Sequence, residues 1–204
     1  MKARPIDSLD SGQGVRSQLP EIFVIRMNEL WDLSRHMQFE DRVTELHDMR
    51  IAAKRLRYCF EFFEPLFADG FKAHLKQFKQ LQDFLGEIHD CDVWVDYLRD
   101  ELKLAMQELS TLRRELDQHF GASQGLAESA RRMEEQFREG PVSGLLRMLT
   151  ELTQRRRELY QQLLIFWQGL EEQGFQQQLA RDVAEAASQS ERTDSGDAPR
   201  PEDA

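Results

Sequence analysis

From about Leu19 to residue 187 the apolar side chains of this chain recur three and four positions apart, and nowhere do they alternate one-in-two between turn signals. That period places them on one face of an α-helix and leaves no half-buried strand to build a sheet from. Punctuation is sparse, with 11 Gly and 6 Pro in 204 residues. The class is therefore all-α, with helices joined by short loops and packed as antiparallel bundles.

The breakers divide the chain. Apolar spacing begins near Leu19 and Pro20 and fades around His36 to Glu40. A second helix is expected over Asp41 to Glu64, stopped by Pro65. A third is expected from Gly70 to Phe84–Gly86 and a fourth from Asp90 to His119, with further segments at 126–138, 142–171 and 175–187 set off by Gly140–Pro141 and Gly174. Residues 1–14, polar and Gly/Ser-containing, read as a flexible N-terminal arm, and 15–187 as the helical domain. Residues 188–204 contain no Leu, Ile, Val or Phe and read as a disordered acidic tail.

The formal net charge of −10 argues on its face against a polyanionic partner. Its distribution argues otherwise. Residues 182–204 hold seven acids against two bases, whereas residues 42–79 hold eight bases against five acids. Two cysteines, Cys59 and Cys91, cannot staple a chain of this size and read as reduced thiols. No apolar run of about 18 residues is present and the first residues lack an apolar signal core, so a cytoplasmic protein without a membrane span is expected.

The most informative stretch is ELHDMRIAAKRLRYCFEFFEPLF, residues 45–67. At about 100° per residue, Leu46, Met49, Ala53, Leu56, Phe60 and Phe63 form a core stripe, while His47, Arg50, Lys54 and Arg57 stack within an arc of roughly 80° on another face. Tyr58 flanks that arc and Arg55 points away from it. Like charges so stacked repel by a few tenths of a kcal/mol per pair, and Glu61 relieves only part of this. Folding alone has no use for such a ladder; a polyanion does. The next helix repeats it with Lys72, Lys76 and Lys79 beside the core positions Phe71, Leu75 and Phe78.

The run H-D-M-R-I-A-A-K-R-L-R-Y (His47 to Tyr58), followed by L-G-E-I-H-D-C-D-V (Leu85 to Val93), resembles the CHAD family, the conserved histidine α-helical domain. The resemblance implies a pair of helical bundles related by an internal repeat, with basic helices lining a groove. It also implies binding of inorganic polyphosphate and association with polyphosphate granules. His47, Arg50, Lys54, Arg55 and Arg57 fall on the family's basic motif, Lys76 and Lys79 on basic positions of the following helix, and Gly86 and Asp90 on its L-G-x-x-x-D pattern. The second half departs from the repeat. Its best candidates are Arg155, Arg156 and Arg157, and Leu149 stands where a second histidine belongs.

His89, Asp90, Cys91 and Asp92 are consecutive, so a helix points them in different directions and they cannot share a metal ion. Asp90 is more simply a helix N-cap. None of the five histidines has a Glu three positions before it, and no nucleotide, nucleophile-elbow or Glu-x-Glu-x-Lys motif occurs. The expectation is therefore a non-enzyme without a cofactor that binds polyphosphate through His47, Arg50, Lys54, Arg55, Arg57, Lys72, Lys76 and Lys79. Nucleic acid is disfavoured because only Tyr58 is placed to stack a base, and Trp31, Trp94 and Trp167 read as core. The alternatives are a protein-interaction scaffold and a histidine phosphotransfer module using His47.

Overall fold

A computed structural model describes residues 2–7, 9, 10, 12–64, 71–120, 122–138 and 140–194. The described residues form six helices and no strand: α1 (Val15–Ser34), α2 (Val43–Phe63), α3 (Phe71–Phe120), α4 (Ala122–Arg138), α5 (Pro141–Glu172) and α6 (Phe175–Asp194). They divide into two compact units, Met1–Gly86 with Tyr160–Ala204, and Glu87–Leu159.

In the first unit α1 packs against α2 and α6. Its centre is aromatic. The Phe60 ring lies 4.7 Å from Phe23 of α1 and 5.7 and 5.2 Å from Phe71 and Phe78 of α3. Phe78 meets Phe175 of α6 at 5.6 Å, and Trp31 meets Trp167 of α5 at 5.0 Å. The stripe expected on α2 is buried throughout. Each such Leu, Met or Phe contributes about 1.5–3 kcal/mol on burial. Buried polar groups find partners: the Tyr160 hydroxyl donates to the Met37 carbonyl, and His74 Nε2 lies 2.7 Å from Asp182. The α5–α6 turn requires φ +62° at Gly174, the left-handed position that glycine takes without strain.

In the second unit Ile88, Cys91, Val95 and Leu98 of α3 are buried with Val142 and Leu159 of α5. Beyond Leu98 no described side chain of α3 is buried.

Four expectations need correction. The break near Gly86 does not exist: α3 runs unbroken from Phe71 to Phe120, so Asp90 is mid-helix and caps nothing. One glycine costs a helix interior only about 1 kcal/mol, too little to end one anchored by Leu81, Leu85 and Ile88. Trp94, expected in the core, is 52% exposed, because the buried stripe of α3 passes through Cys91 and Val95 instead. The N-terminal arm is pinned. The Arg4 amide donates to Glu29 at 3.1 Å, its guanidinium to Asp32 at 2.7 Å, and Arg26 donates to its carbonyl. Finally, α6 continues to Asp194, into the segment expected as tail; residues 195–204 lie outside the described residues, as does the Pro65 stop.

Candidate functional site

The expected site residues His47, Arg50, Lys54, Arg55 and Arg57 of α2 and Lys72, Lys76 and Lys79 of α3 all belong to the first unit. Buried Phe60 fixes the orientation of α2. From that stripe, one flank carries Arg55, whose Nη1 donates to Glu29 of α1 at 2.9 Å. The opposite flank, away from α1, carries His47, Arg50, Lys54 and Arg57. On α3, Phe84 meets Phe166 of α5 at 5.6 Å and His74 meets Asp182 of α6, which turns Lys72, Lys76 and Lys79 to the side away from α5. Since α2 and α3 touch through Phe60, Phe71 and Phe78, the two rows of cations border the same seam.

The side chains there are accessible. His47, Arg50 and Arg57 are half-buried, while Lys54, Lys72, Lys76 and Lys79 are exposed. Arg50, Lys54, Lys76 and Lys79 make no ion pair with any carboxylate among the described residues. Arg57 lies 3.4 Å from Glu61 but outside hydrogen-bond geometry, so its buried Nε has no acceptor among the described residues. The amide Nε2 of Gln82 is in the same condition, between the core stripe of α3 and its lysine face. Buried donors without acceptors are uncommon in folded proteins and call for an explanation. Tyr58 is engaged by its neighbours, with Lys54 Nζ 5.6 Å and the Arg57 guanidinium carbon 5.4 Å from the ring centre. At the start of α2, the Arg42 hydrogen bond at 2.8 Å holds the Glu45 carboxyl below its ordinary range.

Five cations elsewhere on the chain differ. Arg99, Lys103, Arg131, Arg132 and Arg147 each meet a carboxylate one turn away on their own helix. The side chains of Arg131 and Arg132 hold the exposed Glu128 carboxyl down at about 2.

Residues 7–99 match the family model of the CHAD domain. The chain carries a CHAD domain. The matched residues include His47, Arg50, Lys54, Arg55, Arg57, Lys72, Lys76 and Lys79 and stop short of Arg155, Arg156 and Arg157. No curated protein and no solved structure matches the chain.

Outside the matched CHAD residues, the three arginines differ in state. Arg156 is buried in an ion pair with Asp92, and Arg155 bonds Glu87 at 2.7 Å. Only Arg157 is exposed without such a pair among the described residues. Arg156 and Arg55, both expected as ligand contacts, are therefore each already engaged by a carboxylate. Sequence reasoning missed Glu29 and Gln82 altogether, and weighed Asp92 only as a metal-capable neighbour of His89, Asp90 and Cys91. Glu29 lies 26 residues from Arg55 and Asp92 lies 64 from Arg156, so no local spacing pointed to either. Among the described residues no group of three or more His, Cys, Asp or Glu gathers as a metal site, and no helix is long and apolar enough to cross a membrane.

Proposed function

We propose that this CHAD domain binds inorganic polyphosphate along the α2–α3 seam, without turning it over, as a protein of the cytoplasm or of polyphosphate granules. The observation that carries this reading is the set of cations left without carboxylates. Arg50, Lys54, Lys76 and Lys79 stand together without a carboxylate partner among the described residues, while Arg99, Lys103 and Arg132 elsewhere are matched one turn away. A chain of phosphates supplies the missing acceptors. Arg50 and Arg57 offer planar donor pairs for bidentate contacts, and the lysines act as point charges at longer reach. His47, on the same flank, adds a donor. The engagement of Tyr58 by two cations favours polyphosphate over single-stranded nucleic acid, whose bases need an open ring to stack on.

The test is a titration with long-chain polyphosphate across a salt series, with single-stranded DNA as competitor. The log of the affinity is expected to fall linearly with log salt concentration. Arg50→Ala/Lys54→Ala and Lys76→Ala/Lys79→Ala are each expected to weaken binding about tenfold or more and to flatten the salt slope by 1–2. The polymer length is expected to be unchanged after prolonged incubation. No binding at low salt, or binding insensitive to both double variants, refutes the assignment.

A further inference from the structure

In the second unit α3 carries a row of exposed side chains. Trp94, Tyr97 and Leu104 are 52%, 53% and 55% exposed, and Met148 of α5, beside Trp94, is 47% exposed. The row continues at alternating steps of three and four, and its acids fall at every seventh position: Glu101, Glu108 and Glu115 interleave with Tyr97, Leu104 and Thr111. Two hollows open along it. One, of about 370 Å³, lies between Trp94, Met148 and Leu152; the other, of about 350 Å³, lies along Leu104, Glu108 and Leu112.

The charges have one sign. Glu108 and Glu115 make no ion pair with a described cation, and Glu101 lies close enough to Tyr97 to push its phenol up. The basic residues of this stretch, Arg99, Lys103, Arg113 and Arg114, fall on the opposite half of the helix. At the Trp94 hollow, Arg155 is already held by Glu87, and Glu151 lies 3.5 Å from Arg147. Exposed aromatic and aliphatic side chains along one helix face mark an interaction surface, and unneutralised acids set among them select a basic partner.

We propose that this face of α3 docks a basic amphipathic helix of another protein, with apolar anchors against Trp94, Tyr97 and Leu104 and Lys or Arg at heptad spacing facing Glu101, Glu108 and Glu115. The row from 94 to 115 spans about 32 Å, matching a partner helix of about six turns. A second copy using the same face in a two-fold contact would set glutamates against glutamates. The surface takes chemistry opposite to that of the α2–α3 seam, so the proposal stands independently of polyphosphate binding.

The test uses the full-length chain, without polyphosphate, and a labelled 21-residue synthetic helix bearing Leu at 3-4 spacing and Lys at every seventh flanking position. A control peptide has Glu in place of each Lys. The wild type is expected to bind the Lys peptide about tenfold or more tightly than the Glu peptide by fluorescence anisotropy. Glu101→Lys/Glu108→Lys is expected to invert that preference, Tyr97→Ser/Leu104→Ser to weaken both, and Arg50→Ala/Lys54→Ala to change neither. All these substitutions are at exposed or half-buried positions, and circular dichroism checks their folding. Equal or absent binding of the two peptides, or a preference that survives charge reversal, overturns the proposal. So does sedimentation showing a dimer that Leu104→Ser dissociates, because a second copy then fills the face.

Discussion

Arg55 and Lys54 are neighbours in sequence, and the structure gives them opposite jobs, which one experiment can separate. Glu29 is fully buried, and its carboxylate is held by Arg55 at 2.9 Å, Arg26 at 3.0 Å and the Arg4 amide at 3.1 Å. Arg55 is itself about three-quarters buried. Breaking a buried ion pair by removing one partner costs about 3–5 kcal/mol when the other charge is stranded. Here two donors remain, so Arg55→Met, which keeps the aliphatic stem, is expected to cost about 2–3 kcal/mol. For a chain of this size that lowers the melting temperature by about 5–10 °C. The double variant Glu29→Gln/Arg55→Met removes both charges and is expected to recover part of the loss. Lys54 is exposed, makes no ion pair among the described residues and has its Nζ 5.6 Å from the Tyr58 ring, so Lys54→Ala is expected to leave stability within about 0.5 kcal/mol of wild type and to weaken polyphosphate binding. Urea denaturation and the salt-series titration read the two effects separately. The reasoning is refuted if Arg55→Met is as stable as wild type, or if it loses polyphosphate affinity while folded.

Two further outcomes follow from the fold. Gly86 lies inside α3, and a methyl group built there meets nothing within 4 Å. Gly86→Ala is therefore expected to stabilise the protein by about 1 kcal/mol in denaturant titration; destabilisation would mean that the helix bends there. Burial pushes both thiols, Cys59 and Cys91, above their ordinary value. With the folded value raised, their contribution to stability is complete below the unfolded thiol range and is lost as pH rises through the folded value. At pH 8 both are expected to react with an aromatic disulfide reagent about tenfold or more slowly than in denatured chain; equal rates would contradict their burial.

The class of the fold was legible because period 3.6 is written in every helix. The stripe Leu46, Met49, Ala53, Leu56, Phe60 and Phe63 is buried as the spacing requires. Element boundaries were less legible. Gly86 carries a helix-breaker's identity in a setting where its neighbours decide, since Leu81, Leu85 and Ile88 bury one continuous face and outweigh its preference. Trp94 misled for a related reason. An indole placed at 3-4 spacing reads as core, yet α3 has apolar residues on two faces, and only the Cys91–Val95–Leu98 face finds partners. Which of two faces is covered depends on chain elsewhere, and no local pattern states it.

The site divides along the same line. A helical wheel located the ladder and set Arg55 apart, because both are properties of one helix. It could not say which cations are spent. Arg155 and Arg156 look in sequence like Arg50 and Lys54, but Glu87 and Asp92, more than 60 positions away, engage them. A cation already held by a carboxylate must exchange a protein partner for a ligand phosphate, and the net gain is small; a cation without one gains the full charge-assisted bond. Pairing state, rather than residue type, therefore decides which arginines and lysines can hold a polyanion. By that measure Arg50, Lys54, Lys76 and Lys79 on the α2–α3 seam are available together. The same rule with the sign reversed leaves Glu108 and Glu115 as available anions on α3, so a chain of net charge −10 carries one surface suited to a polyanion and another suited to a basic helix.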